Sequence, residues 1–279
     1  KFNYEGDISL TLRYDIFKFY SLKSKYFNML ETKNILKEIN EYNHIKVKNN
    51  DNYNFKHSDN AYLIFKGSIL SYGDNNFTQL LGELDPVGFA EIILARKKIL
   101  RYKILSDLEL LSFSGFKIRD EVNKSNVVVK SIIKYSLARI FGNSKSKVHY
   151  LFEDEFISKH LNFFKRYNFV KGDKIFIYGQ PPRGMYFIEK GSVSLYTKND
   201  KFLSSLTKSE SFGESALISG KLRTNNAVAD TDTQLIEVST KILDEKISVE
   251  SPLVKLTLLS VLRRLELMNK LRMPNDFNS

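Results

Sequence analysis

Between Phe212 and Ala229 the chain gathers residues that could hold a sugar phosphate. The run Phe212-Gly213-Glu214-Ser215-Ala216-Leu217 is followed, after five residues, by Arg223-Thr224-Asn225-Asn226-Ala227-Val228-Ala229. Gly213 lets a ligand approach the backbone closely, and a short helical turn starting near Ser215-Ala216-Leu217 would aim unpaired N–H groups at an anion. Arg223 offers paired donors to a phosphate, and the Thr224 hydroxyl adds another. Lys221, the other cation of the segment, lacks that planar fork. Glu214 would repel a phosphate, so it suits a ribose hydroxyl, from which its carboxylate can accept. The competing reading of Glu214 and Arg223 is a salt bridge across a surface loop. On the ligand reading, Arg223 is expected to face a cavity rather than the core.

Other chemistries find little support. There is no cysteine, and the histidines His44, His57, His149 and His160 include no close pair at metal-ligand spacing. No metal site or cofactor is therefore expected. Neither a Ser/His/Asp ordering nor a phosphate-loop signature is present, so no enzyme is expected. The net charge of +11 comes from basic residues scattered along the chain, which describes a solvated surface rather than a nucleic-acid patch. Hydrophobic residues at 42% and charged residues at 27% fit an ordinary globular protein. No apolar run reaches the roughly 18 residues of a membrane helix, so a membrane location is not expected and a cytoplasmic one is. The first residue is Lys1 rather than Met, as in a trimmed product.

The elements that must position the segment are set by an internal repeat. Tyr42-Asn43-His44-Ile45-Lys46 recurs as Tyr167-Asn168-Phe169-Val170-Lys171 at an offset of 125 positions. Each copy closes a stretch with helical spacing, Ile35, Leu36 and Ile39 before the first and Ile157, Leu161 and Phe164 before the second. At an offset of 124, Tyr62-Leu63-Ile64-Phe65-Lys66-Gly67-Ser68-Ile69 recurs as Tyr186-Phe187-Ile188-Glu189-Lys190-Gly191-Ser192-Val193. Short β-rich runs punctuated by Gly predict hairpins stacked into a small jelly roll or barrel, twice. Val127 to Phe141 has helical periodicity, and the boundary between the copies is expected near residues 142–150. From Ser251 to Met273, Val254, Leu258, Val261, Leu265 and Met268 predict one amphipathic helix. Three roles are open to that helix: packing on its own barrel, a lid over the second module's ligand, or a dimer seam.

At the Phe-Gly-Glu-x-Ala-Leu segment and the Arg-Thr that follows, together with Gly172, Gly179, Gly184, Tyr186 and Gly191, the sequence resembles the cyclic-nucleotide-binding domain family. That family occurs in protein-kinase regulatory subunits, nucleotide-gated channels and catabolite-activator-type regulators. The resemblance implies an α+β, mainly β fold of two tandem jelly-roll modules with flanking helices. Residues 1–145 would be a degenerate copy, and residues 146–279 a nucleotide-binding copy carrying the C-terminal helix. It also implies that Glu214 holds the ribose 2′-hydroxyl, while Arg223, Thr224 and the amides around Gly213, Ser215 and Ala216 hold the cyclic phosphate. Phe212 and Asn225 complete the expected site. Leu222, in place of a frequent Pro, and Asn225-Asn226, in place of smaller residues, depart from the family pattern and leave the base preference open. In the first copy Phe89-Ala90-Glu91 can be laid on Phe212-Gly213-Glu214. On that alignment Ala90 restores a Cβ where the family has Gly, no Arg-Thr follows in register, and Lys97, Lys98 and Arg101 are the cations nearby.

The expected function is that of a cyclic-nucleotide sensor without catalysis, binding cyclic AMP or cyclic GMP in the second module and signalling to a protein partner, a kinase or a regulator. The alternatives are a catabolite-activator-type transcription regulator without its helix-turn-helix, and a ligand-free scaffold. About forty residues follow Ser239 and one helix uses most of them, so no recognition helix and no specific DNA binding are expected. The chain is expected to be a monomer or a dimer through its C-terminal helix.

Overall fold

The computed structural model describes residues 32–49, 51, 53–55, 59–72, 78–94, 101–141, 165–208, 210–213 and 222–272. They form two compact units. One joins residues 32–144 to residues 249–270, and the other is built on residues 145–248. The fold is mainly β with flanking helices, in two tandem modules.

The first unit runs α1 (Thr32–Glu38), β1 (Asn43–Val47), β2 (Asn60–Lys66), β3 (Ile69–Tyr72), β4 (Thr78–Leu81), β5 (Pro86–Val87), α2 (Phe89–Ile93), β6 (Arg101–Ile104), β7 (Leu108–Ser114), α3 (Gly115–Lys124) and α4 (Val127–Phe141). Its strands form antiparallel sheets in the orders β1-β7-β2-β5 and β4-β3-β6. The second unit runs β8 (Lys165–Phe169), β9 (Lys174–Phe176), β10 (Gly184–Lys190), β11 (Ser192–Tyr196), β12 (Phe202–Thr207), β13 (Ser211–Phe212), β14 (Asn226–Ala229), β15 (Thr233–Ser239) and α5 (Thr240–Ser248). Its sheets have the orders β13-β10-β15-β8 and β12-β11-β14-β9. The last helix, α6 (Pro252–Arg272), belongs with the first unit.

The strand-Gly-strand repeat is borne out in detail. β2 and β10 are each bulged at the same place, between Ile64 and Lys66 and between Ile188 and Lys190. Gly67 and Gly191 then turn the chain at φ 93° and 86°, a left-handed conformation that a side chain would strain. The interiors fill from corresponding positions: Tyr62, Ile64, Ile69, Val87 and Leu110 in one unit, Tyr186, Ile188, Val193, Phe212 and Leu235 in the other. Serines cap the helices that leave both barrels, with Ser114 Oγ accepting from Lys117 N and Ser239 Oγ from Ile242 N.

The Tyr-Asn repeat is a different matter. Val47 pairs with Leu108 and Phe169 with Thr233, so the structural equivalents in β1 and β8 are 122 residues apart, not 125. The resemblance of Tyr42-Asn43 to Tyr167-Asn168 is therefore out of register by three positions; ladder partners, not local identity, decide which residues turn inwards. The helices expected at Ile35 to Ile39, Val127 to Phe141 and the C-terminus are present. Ile157, Leu161, Phe164 and the expected boundary at 142–150 lie outside the described residues.

Candidate functional site

Arg223 is the centre of the second unit's candidate site. It precedes β14 and is only 3% exposed. Its Nη1 donates to the Gly213 carbonyl at 2.7 Å and its Nη2 to the Gly184 carbonyl at 2.6 Å. The guanidinium lies over the Phe176 ring, 4.2 Å from the centroid, with Tyr186 at 5.8 Å. Phe212 completes that floor, its ring 5.4 Å from Tyr186 and nearly parallel to it. An aromatic stack of this kind holds a planar cation in one orientation while keeping water from its lower face.

Gly213 is required by two independent facts. Its φ is 85°, and a Cβ built on it would lie 2.6 Å from Arg223 Nη1. The segment expected to face the ligand thus begins at a glycine against which the arginine is pressed. Asn226, expected only as a departure from a family pattern, ties loops together: its Nδ2 donates to Thr197 O at 3.2 Å and Asp200 Oδ1 at 2.9 Å, and its Oδ1 accepts from Tyr178 N at 2.7 Å.

The other expected residues fall into three groups. Phe212 is 1% exposed and turns into the core. Thr224 is exposed and Asn225 half-buried, directly beyond Arg223. Glu214, Ser215 and Ala216 lie outside the described residues, as does Lys221. Arg223 was expected to face a cavity rather than the core; its guanidinium is buried against aromatic rings as well as placed beside Gly213. Phe176 and the Gly184 carbonyl were missed in the sequence, because ring stacking and carbonyl direction leave no trace in residue spacing.

Below the arginine, Glu237 on β15 accepts from Tyr167 Oη at 3.1 Å and Tyr186 Oη at 3.5 Å. Burial, and then the charge of Glu237, push the Tyr186 phenol up to about 12. The same causes raise Tyr167. Tyr186 therefore keeps its proton and its donor role throughout the neutral range.

The module resembles known proteins at the level this geometry suggests. Residues 166–249 match the family model described as cyclic nucleotide-binding domain. That stretch, in the second unit as far as Ser248, is similar to a cyclic nucleotide-binding domain. A curated cGMP-dependent protein kinase of Plasmodium berghei (strain Anka) is 27% identical over 140 residues, covering 50% of this chain and 15% of that protein. The chain thus spans a small part of that relative. Among solved structures, cAMP-bound PfPKA-R is 18% identical, with 91% of this chain and 92% of that one covered at a TM-score of 0.37. The regulatory subunit of a cAMP-independent protein kinase A from Trypanosoma brucei is 16% identical, with 74% and 76% covered at 0.33. Among the described residues there is no group of side chains that could hold a metal, and no helix long and apolar enough to cross a membrane.

With the domain in view, the ladders correct the alignment of the first module. Tyr62 pairs with Val87, and Tyr186 with Phe212. Gly88, with φ 82°, is therefore the counterpart of Gly213. Val87 and Phe212 each stand 27 residues before the capping serines Ser114 and Ser239. Phe89-Ala90-Glu91 accordingly matches Glu214-Ser215-Ala216 rather than Phe212-Gly213-Glu214, and Ala90 takes no glycine's place. The same register puts Tyr102 opposite Ser71 where Ala227 stands opposite Leu195. Lys98 falls at the position of Arg223, outside the described residues.

Proposed function

We infer that this chain is a cyclic-nucleotide sensor that binds one cyclic AMP or cyclic GMP in its second module and carries out no reaction on it. The observation that carries this reading is Arg223, held against Gly213 at the two ends of the 213–223 segment within a matched nucleotide-binding domain. A cyclic phosphate carries a single negative charge on oxygens that suit a guanidinium fork. In the bound state Arg223 exchanges backbone carbonyls for phosphate oxygens, Thr224 adds a hydroxyl, and the amides of Gly213, Ser215 and Ala216 complete the cradle. Glu214, next to Gly213, accepts from the ribose 2′-hydroxyl. Phe212 serves from behind, through the aromatic floor, and Asn225 lies at the rim.

The output is a change seen by a protein partner. The Plasmodium relative suggests a kinase as the partner class, and a cytoplasmic setting fits that reading. Calorimetric titration of cyclic AMP, cyclic GMP and a cyclic dinucleotide into the purified chain tests the proposal. One saturable site for a cyclic mononucleotide is the expected result. No binding, or two equal sites per chain, would overturn it.

A further inference from the structure

We propose that the first module is a receptor for the chain's own C-terminal helix, and that the buried Arg264–Glu91 pair is the contact that selects and seats it. In sequence α6 follows the second module, separated from α5 by only Val249, Glu250 and Ser251, yet it belongs to the compact unit of residues 32–144. Its start is fastened there: Ser251 Oγ donates to Glu121, and Glu250 Oε1 accepts from Asn126 N at 2.6 Å. Ser251 also caps the helix, accepting from Val254 N at 3.2 Å, with Pro252 in the first turn. Further along, Leu258, Val261 and Leu265 are fully buried, and Leu267 packs against the first module's core.

Two adjacent arginines then reach acidic residues on either side of Gly88. Arg263 Nε donates to Asp85 Oδ1 at 2.9 Å, and Arg264 Nη2 to Glu91 Oε1 at 3.0 Å. The second pair is almost wholly enclosed, with side chains 8% and 4% exposed. Burial and the charge of Glu91 raise the Tyr102 phenol, and the charge of Arg264 opposes them.

The register explains why this place suits a cation and not a nucleotide. Phe89, 1% exposed, stands where Glu214 stands in the second module, so the ribose acceptor is replaced by a buried ring. Glu91 puts a carboxylate where the second module has Ala216, and a like charge there repels a phosphate. Arg264 supplies the opposite charge. Its Nε and Nη1, and Glu91 Oε2, have no hydrogen-bond partner among the described residues. A buried pair left this incompletely satisfied adds little net stability over an apolar filling; its use is to specify register and partner.

Hydrogen–deuterium exchange of the full chain without nucleotide tests the proposal independently of the sensor reading. Glu91→Leu and Arg264→Leu each leave one buried charge alone, and each should speed exchange in residues 252–270 by at least about tenfold, with residues 165–239 unchanged. The double variant leaves neither charge alone and should return residues 252–270 to within about threefold of the parent. Exchange unaffected by either single change, or effects that simply add in the double, would overturn the proposal. Should a single variant unfold residues 32–144 altogether, recovery in the double still decides.

Discussion

The two modules share a ladder and differ in what they put inside it. At the bulged strand, the turn glycine and the glycine that opens the segment after β5 or β13, they agree nearly residue for residue. Behind that frame the second module stacks a guanidinium on Phe176 and Tyr186. The first packs Phe55 edge-on to Tyr62 and brings Tyr102 to within 5.0 Å of Phe55. Where the second has Ala227 opposite Leu195 and, in sequence, Ala216, the first has the ring of Tyr102 opposite Ser71 and the carboxylate of Glu91, neutralised from α6. The difference teaches that one left-handed turn, at Gly88 and at Gly213, can be followed by residues of opposite character: Phe89 and Glu91 stand in the first module where the second has Glu214 and Ala216 in sequence.

The largest expected effect comes from removing the guanidinium. Arg223→Ala should weaken cyclic-nucleotide binding by roughly 30- to 1000-fold in a calorimetric titration, the equivalent of about 2–4 kcal/mol. Because Arg223 also bonds two carbonyls and covers Phe176, the same change should destabilise the ligand-free second unit by about 1–3 kcal/mol in urea unfolding. Arg223→Lys should restore part of each. Full-strength binding by the alanine variant would remove Arg223 from the site and end the contrast drawn between the modules.

A matched pair of glycine substitutions sharpens the comparison. Gly213 and Gly88 have nearly the same φ, 85° and 82°, so alanine at either should cost about 1–2 kcal/mol in backbone strain. Gly213→Ala must in addition displace Arg223, and should lower nucleotide affinity at least about tenfold. Gly88→Ala should leave that affinity unchanged. Equal losses at both positions would show that nucleotide engages both modules.

The smallest effect concerns pH. The folded Tyr186 phenol sits near 12 against an ordinary 10.0, so its contribution to folding is fully present below pH 10 and lost as pH rises through about 12. It amounts to on the order of 2 kcal/mol. Tyr186→Phe keeps the ring over Phe212 and should flatten that alkaline loss in denaturant titrations between pH 9 and about 12, with a change of about 1 kcal/mol or less at pH 7. An unchanged alkaline slope would mean that another group, Tyr167 first, carries the dependence.

Much of this was legible in the chain itself. Strand–Gly–strand at an offset of 124 announced two modules, since left-handed turns and alternating apolar residues are local demands that only a few residue types meet. Gly213 and Arg223 stood out from residue type and spacing as members of one segment, though not their hydrogen bond to each other, and α6 from its periodicity. Three things were not. Register is a property of pairing across strands, so the slip of Tyr42-Asn43 and the true counterpart of Phe89-Ala90-Glu91 emerged only from the ladders. The aromatic bed under Arg223 depends on where rings converge from β9, β10 and β13. Helix α6 announced an apolar face but not the surface it would cover, because hydrophobic burial has no direction; the destination was decided by Asp85 and Glu91, which lie about 170 to 180 residues earlier in the chain and meet Arg263 and Arg264 only after folding.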